Sequence, residues 1–423
     1  DRVEVLRGPA GAVYGSDAMG GAIQIFTKRG EGAPRPTVSI GGGTHGTRNA
    51  SAGVSGGAGM FDYALGMSYA ESDGFNARTR AQDNPDKDGY RRKSVNARLG
   101  LQLSRDHRLE ATVLHSNSNS GYDVSKADDR AINTLNAAGF SWQAQWNAHY
   151  STKFSVSESR QEYETKPSVY LTQTTLRNYL FQNEWRQGVH TFSAALERRE
   201  DQLSNAAITP TERDRHQNAL ALGWGVRTGA HTLQLNARHD RDSEFGGKTT
   251  GSAAYAYAFT PQWRVNASAG TAFRVPTLYQ RFSQYGDAGL RPQESHNAEI
   301  GVRWAQGDNQ FSATAYRNRV TNLINYVSGA GACPSKSGCY ENVGKAVYEG
   351  ITLAGAYKLA GVRLSGSVDF QNPRDETTGK RLARRSQRHA VLGADTTVAG
   401  WDLGAQMQTY SHRFDDAANK KPL

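Results

Sequence analysis

Residues 141–150 read SWQAQWNAHY. Trp142, Ala144, Trp146, Ala148 and Tyr150 fall on one side of an extended chain, and Gln143, Gln145, Asn147 and His149 on the other. Side chains of a strand alternate between its two faces, so this spacing predicts a β-strand with one apolar and one polar face. The dyad returns at 263–273, where Trp263, Val265, Ala267, Ala269 and Phe273 oppose Arg264, Asn266 and Ser268. It returns again at 401–408, where Trp401, Leu403, Ala405 and Met407 oppose Asp402, Gln406 and Gln408. A soluble sandwich turns such an apolar face onto a second sheet. An outer-membrane barrel turns it to lipid and lines its lumen with the polar face.

The connections separate these two folds. Short turns at 104–108, 227–231, 259–263, 305–309 and 358–362 alternate with long polar excursions at 73–92, 118–133, 164–175, 203–214, 274–294 and 327–342. Barrels sort their connections this way, with short periplasmic turns and long external loops, whereas a sandwich has no reason to. Trp263, Phe273, Trp304, Tyr316 and Trp401 stand near strand ends, as interfacial girdle aromatics do. Counting from about residue 36 gives about 19 strands, enough to enclose a lumen that needs a plug or forms a channel. That count is odd and the chain ends on SHRFDDAANKKPL, whereas a bacterial single-chain barrel has an even strand number. The expectation is therefore a fragment, short of its last strands and of the front of its N-terminal domain.

Composition agrees with an all-β chain. Of 423 residues only 37% are hydrophobic, and 45 glycines stand against 12 prolines, with 19 tyrosines and 7 tryptophans. No window holds the ~18 apolar residues that a membrane helix requires. The net charge is +10, but lysine and arginine are scattered over the whole length without a stripe or tail, which argues against nucleic acid. The histidines, among them His45, His115, His190, His239 and His296, show no metal spacing, and no G-x-S-x-G is present, so the chain is not expected to be an enzyme. Cys333 and Cys339 are the only cysteines and lie in the loop-like run GACPSKSGCYEN. Two are too few for a usual zinc site; a local disulfide is favoured over free thiols and implies an oxidising compartment.

Residues 3–30, VEVLRGPAGAVYGSDAMGGAIQIFTKRG, resemble the last third of the plug domain of TonB-dependent outer-membrane receptors. Residues 270–304 (GTAFRVPTLYQRFSQYGDAGLRPQESHNAEIGVRW), 316–327 (YRNRVTNLINYV) and 340–353 (YENVGKAVYEGITL) resemble strand and hairpin signatures of the same family. The resemblance implies a 22-stranded type of transmembrane antiparallel up-and-down barrel, with residues 1–35 as the C-terminal part of the plug and 36–423 as the barrel. It implies an outer-membrane location, a likeness to monomeric receptors, and TonB as the partner that remodels the plug at the expense of the proton-motive force. It also implies that Arg2, Glu4 and Arg7 pair with charges on the inner wall; read from the residues alone, they are polar positions of an exposed edge strand.

Within the family the short loops and motif order look most like the cobalamin (vitamin B12) receptors. Two acidic stretches point the same way: NPDKDGY carries Asp86 and Asp88, and SGYDVSKADD carries Asp123, Asp128 and Asp129. They lie in successive long external loops, and carboxylates that converge at a rim repel one another unless a hard cation such as Ca²⁺ sits between them. The receptors it resembles bind calcium with aspartates of these two loops, so Asp86, Asp88, Asp123 and one of Asp128 or Asp129 are the candidate ligands. DGFN departs from the family pattern at Asn76, leaving Asp73 or the Asn76 amide to serve. Tyr122, beside Asp123, is the candidate cargo contact. Arg384 and Arg385, in RLARRSQRH, are read as anion-binding residues, for cargo or lipopolysaccharide phosphates, or as a plain rim pair. The expected function is active import of cobalamin; a ferric siderophore is the alternative cargo, and a passive porin or an adhesive sandwich are the competing classes.

Overall fold

The computed structural model describes the chain apart from residues 1, 9, 77, 79–83 and 328–337. It begins with a small hairpin, β1 (Arg2–Arg7) paired antiparallel with β2 (Gly21–Phe26), and the one-turn helix α1 (Gly11–Tyr14) between them. A single sheet follows. Its first strands are β3 (Arg35–Gly42), β4 (Arg48–Ala58), β5 (Phe61–Ser72), β6 (Tyr90–Gln102), β7 (His107–Gly121), β8 (Arg130–Gln145), β9 (Tyr150–Lys166) and β10 (Tyr170–Gln187). Next come β11 (His190–Asn205), β12 (Glu212–Thr228), β13 (His231–Asp242), β14 (Gly246–Ala258) and β15 (Trp263–Arg274). The helix α2 (Leu278–Phe282) precedes β16 (Gln293–Gln306), β17 (Asn309–Val327), β18 (Cys339–Leu359) and β19 (Val362–Gln371). The two-residue β20 (Arg374–Asp375), β21 (Arg388–Val398) and β22 (Trp401–Tyr410) complete it.

Each long strand pairs antiparallel with the next, β19 passing directly to β21, while β20 pairs with the upper part of β18. The sheet curls into a barrel of twenty strands, nineteen of them long. β3 and β22 are its lateral ends. Among the described residues no ladder joins them, and both are exposed at every position. Because directions alternate along the wall, its first and nineteenth long strands run the same way. None of the described helices is long and apolar enough to cross a membrane.

The wall is built inside out relative to a soluble protein. Leu196, Leu222, Ile300, Ile351 and Met407 are roughly half exposed, whereas Arg215, Arg238, Asp240 and Asp242 are buried. Lipid solvates the first set, and the strand ladders satisfy the backbone polar groups that lipid cannot. One apolar cluster, Leu203, Ile208 and Leu278 with Tyr279 and Phe282 against it, lies under α2 rather than inside the wall.

The short turns fall where the spacing places them, but the long excursions do not all remain loops. Residues 164–175 continue β9 and β10, which meet in a tight turn at 167–169. Above the bilayer both faces of a strand meet polar surroundings, so the apolar alternation stops while the strand goes on. Two girdle assignments are also corrected. Phe273 is 3% exposed at the outer end of β15, and Tyr316 stands opposite Glu299, on the inward face. The girdle at the short-turn end holds Trp263 directly opposite Trp304, and Trp185 packed on Phe192 at 6.1 Å.

Gly30, between the hairpin and β3, is buried. A Cβ there would lie 2.0 Å from the Gly56 oxygen and 2.2 Å from that of Tyr63, both backbone atoms that cannot swing aside. Gly30→Ala is expected to cost about 1–3 kcal/mol through forced backbone displacement, read as a lowered unfolding temperature in detergent.

Candidate functional site

The two acidic loops meet because the strands between them, β6 and β7, are neighbours. Loop 73–89 joins β5 to β6, loop 122–129 joins β7 to β8, and the Gly121 amide donates to the Gly89 oxygen at 2.8 Å. Asp88 N donates to Phe75 O within the first loop. Asp86, Asp88 and Asp123 thus each place a carboxylate oxygen within 4.8 Å of the others, with Asp123 buried. Hard oxygen donors in this number suit Ca²⁺, which completes its coordination with backbone oxygens and water, so these three residues fit the ion the family likeness calls for. Arg78 also reaches this place, its guanidinium donating to the Asp123 carbonyl.

The remaining acidic candidates are placed elsewhere. The Asp129 carboxylate accepts from Val124 N at 3.1 Å, Ser125 N at 2.7 Å and Ser125 Oγ at 2.9 Å, so it ties its own loop together. Asp128 pairs with Arg130 at 2.9 Å on the surface. The Asn76 amide oxygen accepts from Arg78 N at 3.0 Å, and the Asp73 carboxylate rests against Gly46. Burial pushes the Asp129 carboxyl upward, but the three hydrogen bonds from Ser125 and Val124 outweigh it and hold the group below the ordinary carboxylate range. A depressed folded-state pKa contributes stability that is present above the unfolded value and lost as pH falls through the folded one. Loop 122–129 is accordingly expected to keep its amide protection at neutral pH and lose it below about pH 4, as read by hydrogen exchange.

Tyr122 is half-buried beside these groups; burial first, then the neighbouring Tyr163 and Asp129, raise its hydroxyl. It borders a tyrosine cluster that the sequence reading missed. Tyr170 Oη donates to Tyr279 Oη at 3.1 Å, and the rings continue from Tyr279 to Tyr340 at 6.3 Å, to Tyr326 at 5.6 Å and to Tyr285 at 6.0 Å. Thr277 starts α2 with a capping box to Gln280, and Arg215 donates to Pro276 O at 2.6 Å, which fixes Tyr279 in the mouth. Burial, then Tyr170, raises the Tyr279 hydroxyl well above its usual range, so it stays neutral. These tyrosines come from four elements and one loop spread over 170 to 340. No local spacing reports them.

Of the other expected residues, Arg384 pairs with Asp415 at 2.8 Å and Arg385 lies beside Tyr348. Cys339 is buried and disulfide-bonded, and Cys333 lies outside the described residues. Arg2 and Glu4 pair with each other at 2.6 Å on the exposed hairpin, and the Arg7 side chain lies outside the described part. The hairpin meets the inner wall through another set: Asp17 with Arg199 at 3.4 Å and Arg274 at 3.2 Å, Asn297 Nδ2 to Met19 O at 3.1 Å, and Arg98 to Thr27 O at 2.8 Å. A cavity of ≈ 990 Å³ remains between Phe26–Lys28 and the inner face of β4 to β11.

Comparison with known proteins agrees with this architecture. The family described as TonB dependent receptor-like, beta-barrel, matches residues 35–422. The vitamin B12 transporter BtuB of Photobacterium profundum is 27% identical over 436 aligned residues, covering 100% of this chain and 71% of that protein. BtuB of Vibrio cholerae is 28% identical, covering 96% and 67%. Among solved structures, the ferric enterobactin receptor PfeA of Pseudomonas aeruginosa superposes with TM-score 0.85 at 17% identity, covering 100% of this chain and 76% of that one. The siderophore receptor PirA of Acinetobacter baumannii gives 0.84 at 15%, covering 98% and 73%. At that identity the likeness speaks for the fold alone. With the match running along the whole barrel and a hairpin seated in its lumen, the chain belongs to the TonB-dependent receptors of the outer membrane.

Proposed function

We propose that this receptor imports cobalamin or a related corrinoid, binding it at the external mouth between the acidic loops and the tyrosine cluster. The observation that carries the reading is the convergence of Asp86, Asp88 and Asp123 beside Tyr122. A calcium ion there would join the two loops and order the surface that captures cargo. The relatives named as vitamin B12 transporters support the same cargo. The hairpin of residues 2–26 acts as part of a plug, and TonB, drawing on the proton-motive force, displaces it to open the lumen; no covalent chemistry is required. The barrel works as a monomer.

A ferric siderophore is the second reading, supported by structural neighbours that are themselves siderophore receptors and by a basic rim. An anionic chelate calls for available cations, however, and Arg384 is already matched by Asp415. Equilibrium binding of cyanocobalamin to the receptor in detergent, beside a ferric siderophore, decides between them. Saturable cobalamin binding that weakens on chelation is expected. Siderophore binding without cobalamin binding would overturn the assignment.

A further inference from the structure

The outward face of the wall carries a charge pattern that neither the lumen nor the mouth uses. Arg98 of β6 reaches inward to Thr27, so Arg91 and Lys93, of opposite parity on the same strand, face outward. The register sets Arg91 opposite Glu71 of β5, and Glu71 opposite Arg48 of β4, so the three form one horizontal row with Lys93 one step below, opposite Tyr69. Beneath them on the same face lie Val95, Leu99, Met67, Leu65 and Phe61, all exposed. The row therefore stands at the upper edge of the lipid-facing belt, at the depth of the outer-leaflet headgroups.

On β9 to β11 at this level the cations have their own carboxylates: Arg177 pairs with Glu158 at 2.6 Å and Arg198 with Glu200 at 2.7 Å. On β4 to β6 the balance differs. Glu71 is shared by Arg48 at 3.9 Å and Arg91 at 3.7 Å and also accepts from Tyr69 Oη at 2.6 Å, while Lys93 has no ion-pair partner among the described residues. Two arginines thus share one carboxylate with Lys93 one step below them, and Arg48 and Arg91 keep most of their side chains exposed.

We propose that Arg48, Arg91 and Lys93 form a docking site for the phosphate of a phosphorylated glycolipid headgroup in the outer leaflet. Guanidinium groups bind phosphate through paired charge-assisted hydrogen bonds, and the ammonium adds a point charge below them. The acyl chains of such a lipid would lie along Val95, Leu99 and Met67, and Tyr69 would sit at the boundary between headgroup and chains. This site concerns the wall, so it stands or falls independently of the cargo.

The test is glycolipid retention by the intact receptor purified from outer membranes, quantified by mass spectrometry after detergent exchange. Arg48→Gln with Arg91→Gln and Lys93→Gln is expected to retain less than about one fifth of the wild-type amount. Arg177→Gln, whose cation is locally matched, should retain it unchanged. Add-back to delipidated wild-type receptor compares phosphorylated lipid A, dephosphorylated lipid A and inorganic phosphate, with only the first expected to bind. Equal retention by the triple variant, equal binding of dephosphorylated lipid, or displacement of the lipid by an equal concentration of inorganic phosphate would overturn the proposal. Should the triple variant lose its heat-modifiable gel migration, Lys93→Gln measured alone and the wild-type add-back decide the matter.

Discussion

Replacing Asp86 and Asp88 by asparagine is expected to weaken calcium binding by on the order of 100-fold or more, because ligand charge count sets the affinity of oxygen sites for Ca²⁺. The physical reason is like-charge repulsion. Three carboxylate oxygens within 4.8 Å of one another repel by about 3 kcal/mol per pair at an effective dielectric of about 20. A divalent cation would reverse that sign and hold loop 73–89 against loop 122–129. The coupling has a distinctive signature. Wild-type receptor should lose cyanocobalamin affinity when calcium is chelated, by about 10-fold or more for a coupling of 1–3 kcal/mol. The double variant should bind equally with and without calcium, and with chelator present it should bind no worse than wild type, since its loops no longer repel. Isothermal titration of calcium, then of cyanocobalamin in both states, checks this. A wild type indifferent to chelation would show that the three carboxylates are solvated loop acids.

The largest stability effect is expected at Arg238. Its guanidinium donates to both carboxylate oxygens of Asp240 at 2.8 to 3.0 Å and to Glu197 at 2.7 Å, and its side chain is 2% exposed. Arg238→Ala leaves two buried carboxylates without their cation, a loss of about 3–5 kcal/mol. The apparent unfolding temperature should fall by several degrees. Removing the charges together, as Arg238→Ala with Asp240→Asn and Glu197→Gln, should recover a good part of it, because the cost lies in the unmatched charge rather than in a lost contact. The same guanidinium lies beneath the hairpin: a Cβ on Gly15 would meet its Nη2 at 2.8 Å. Hydrogen exchange at residues 11–15 should therefore rise in the single variant. Unchanged stability would place Arg238 in a better hydrated setting than its burial indicates.

The strands were legible in the sequence wherever lipid meets one face, because only there does the dyad carry information. Trp401, Leu403, Ala405 and Met407 are an example, and all four face outward on β22. Above the bilayer the reading failed for the same reason: residues 164–175 are polar on both faces, so they resemble a loop although they fold as strands. Asp86, Asp88 and Asp123 were legible because neighbouring loops of a barrel must meet at the rim. Asp128 and Asp129 were overcounted, since acidic side chains also serve local turns, and the amides of Val124 and Ser125 claim Asp129. The tyrosine cluster was beyond reach. It depends on α2 folding into the mouth, which the capping of Thr277 and the grip of Arg215 on Pro276 bring about through residues far apart in the chain.

The unequal strand lengths have a consequence for the shape of the cargo. About 9–11 tilted residues suffice to span a membrane, yet β17 and β18 run to 19 and 21 residues while β5 and β6 stop at 12 and 13. Measured from their short-turn ends, at about 3.3 Å per residue and a tilt near 40°, β18 reaches roughly 20 Å further outward than β6, and the mouth slopes accordingly. The acidic loops sit on the low side, above β5 to β8, and Tyr326 and Tyr340 stand on the high side. A thin, flat molecule lying on that slope reaches one group or the other. Only a guest with depth as well as breadth fills the step, so the staircase of the rim is itself a gauge of molecular bulk.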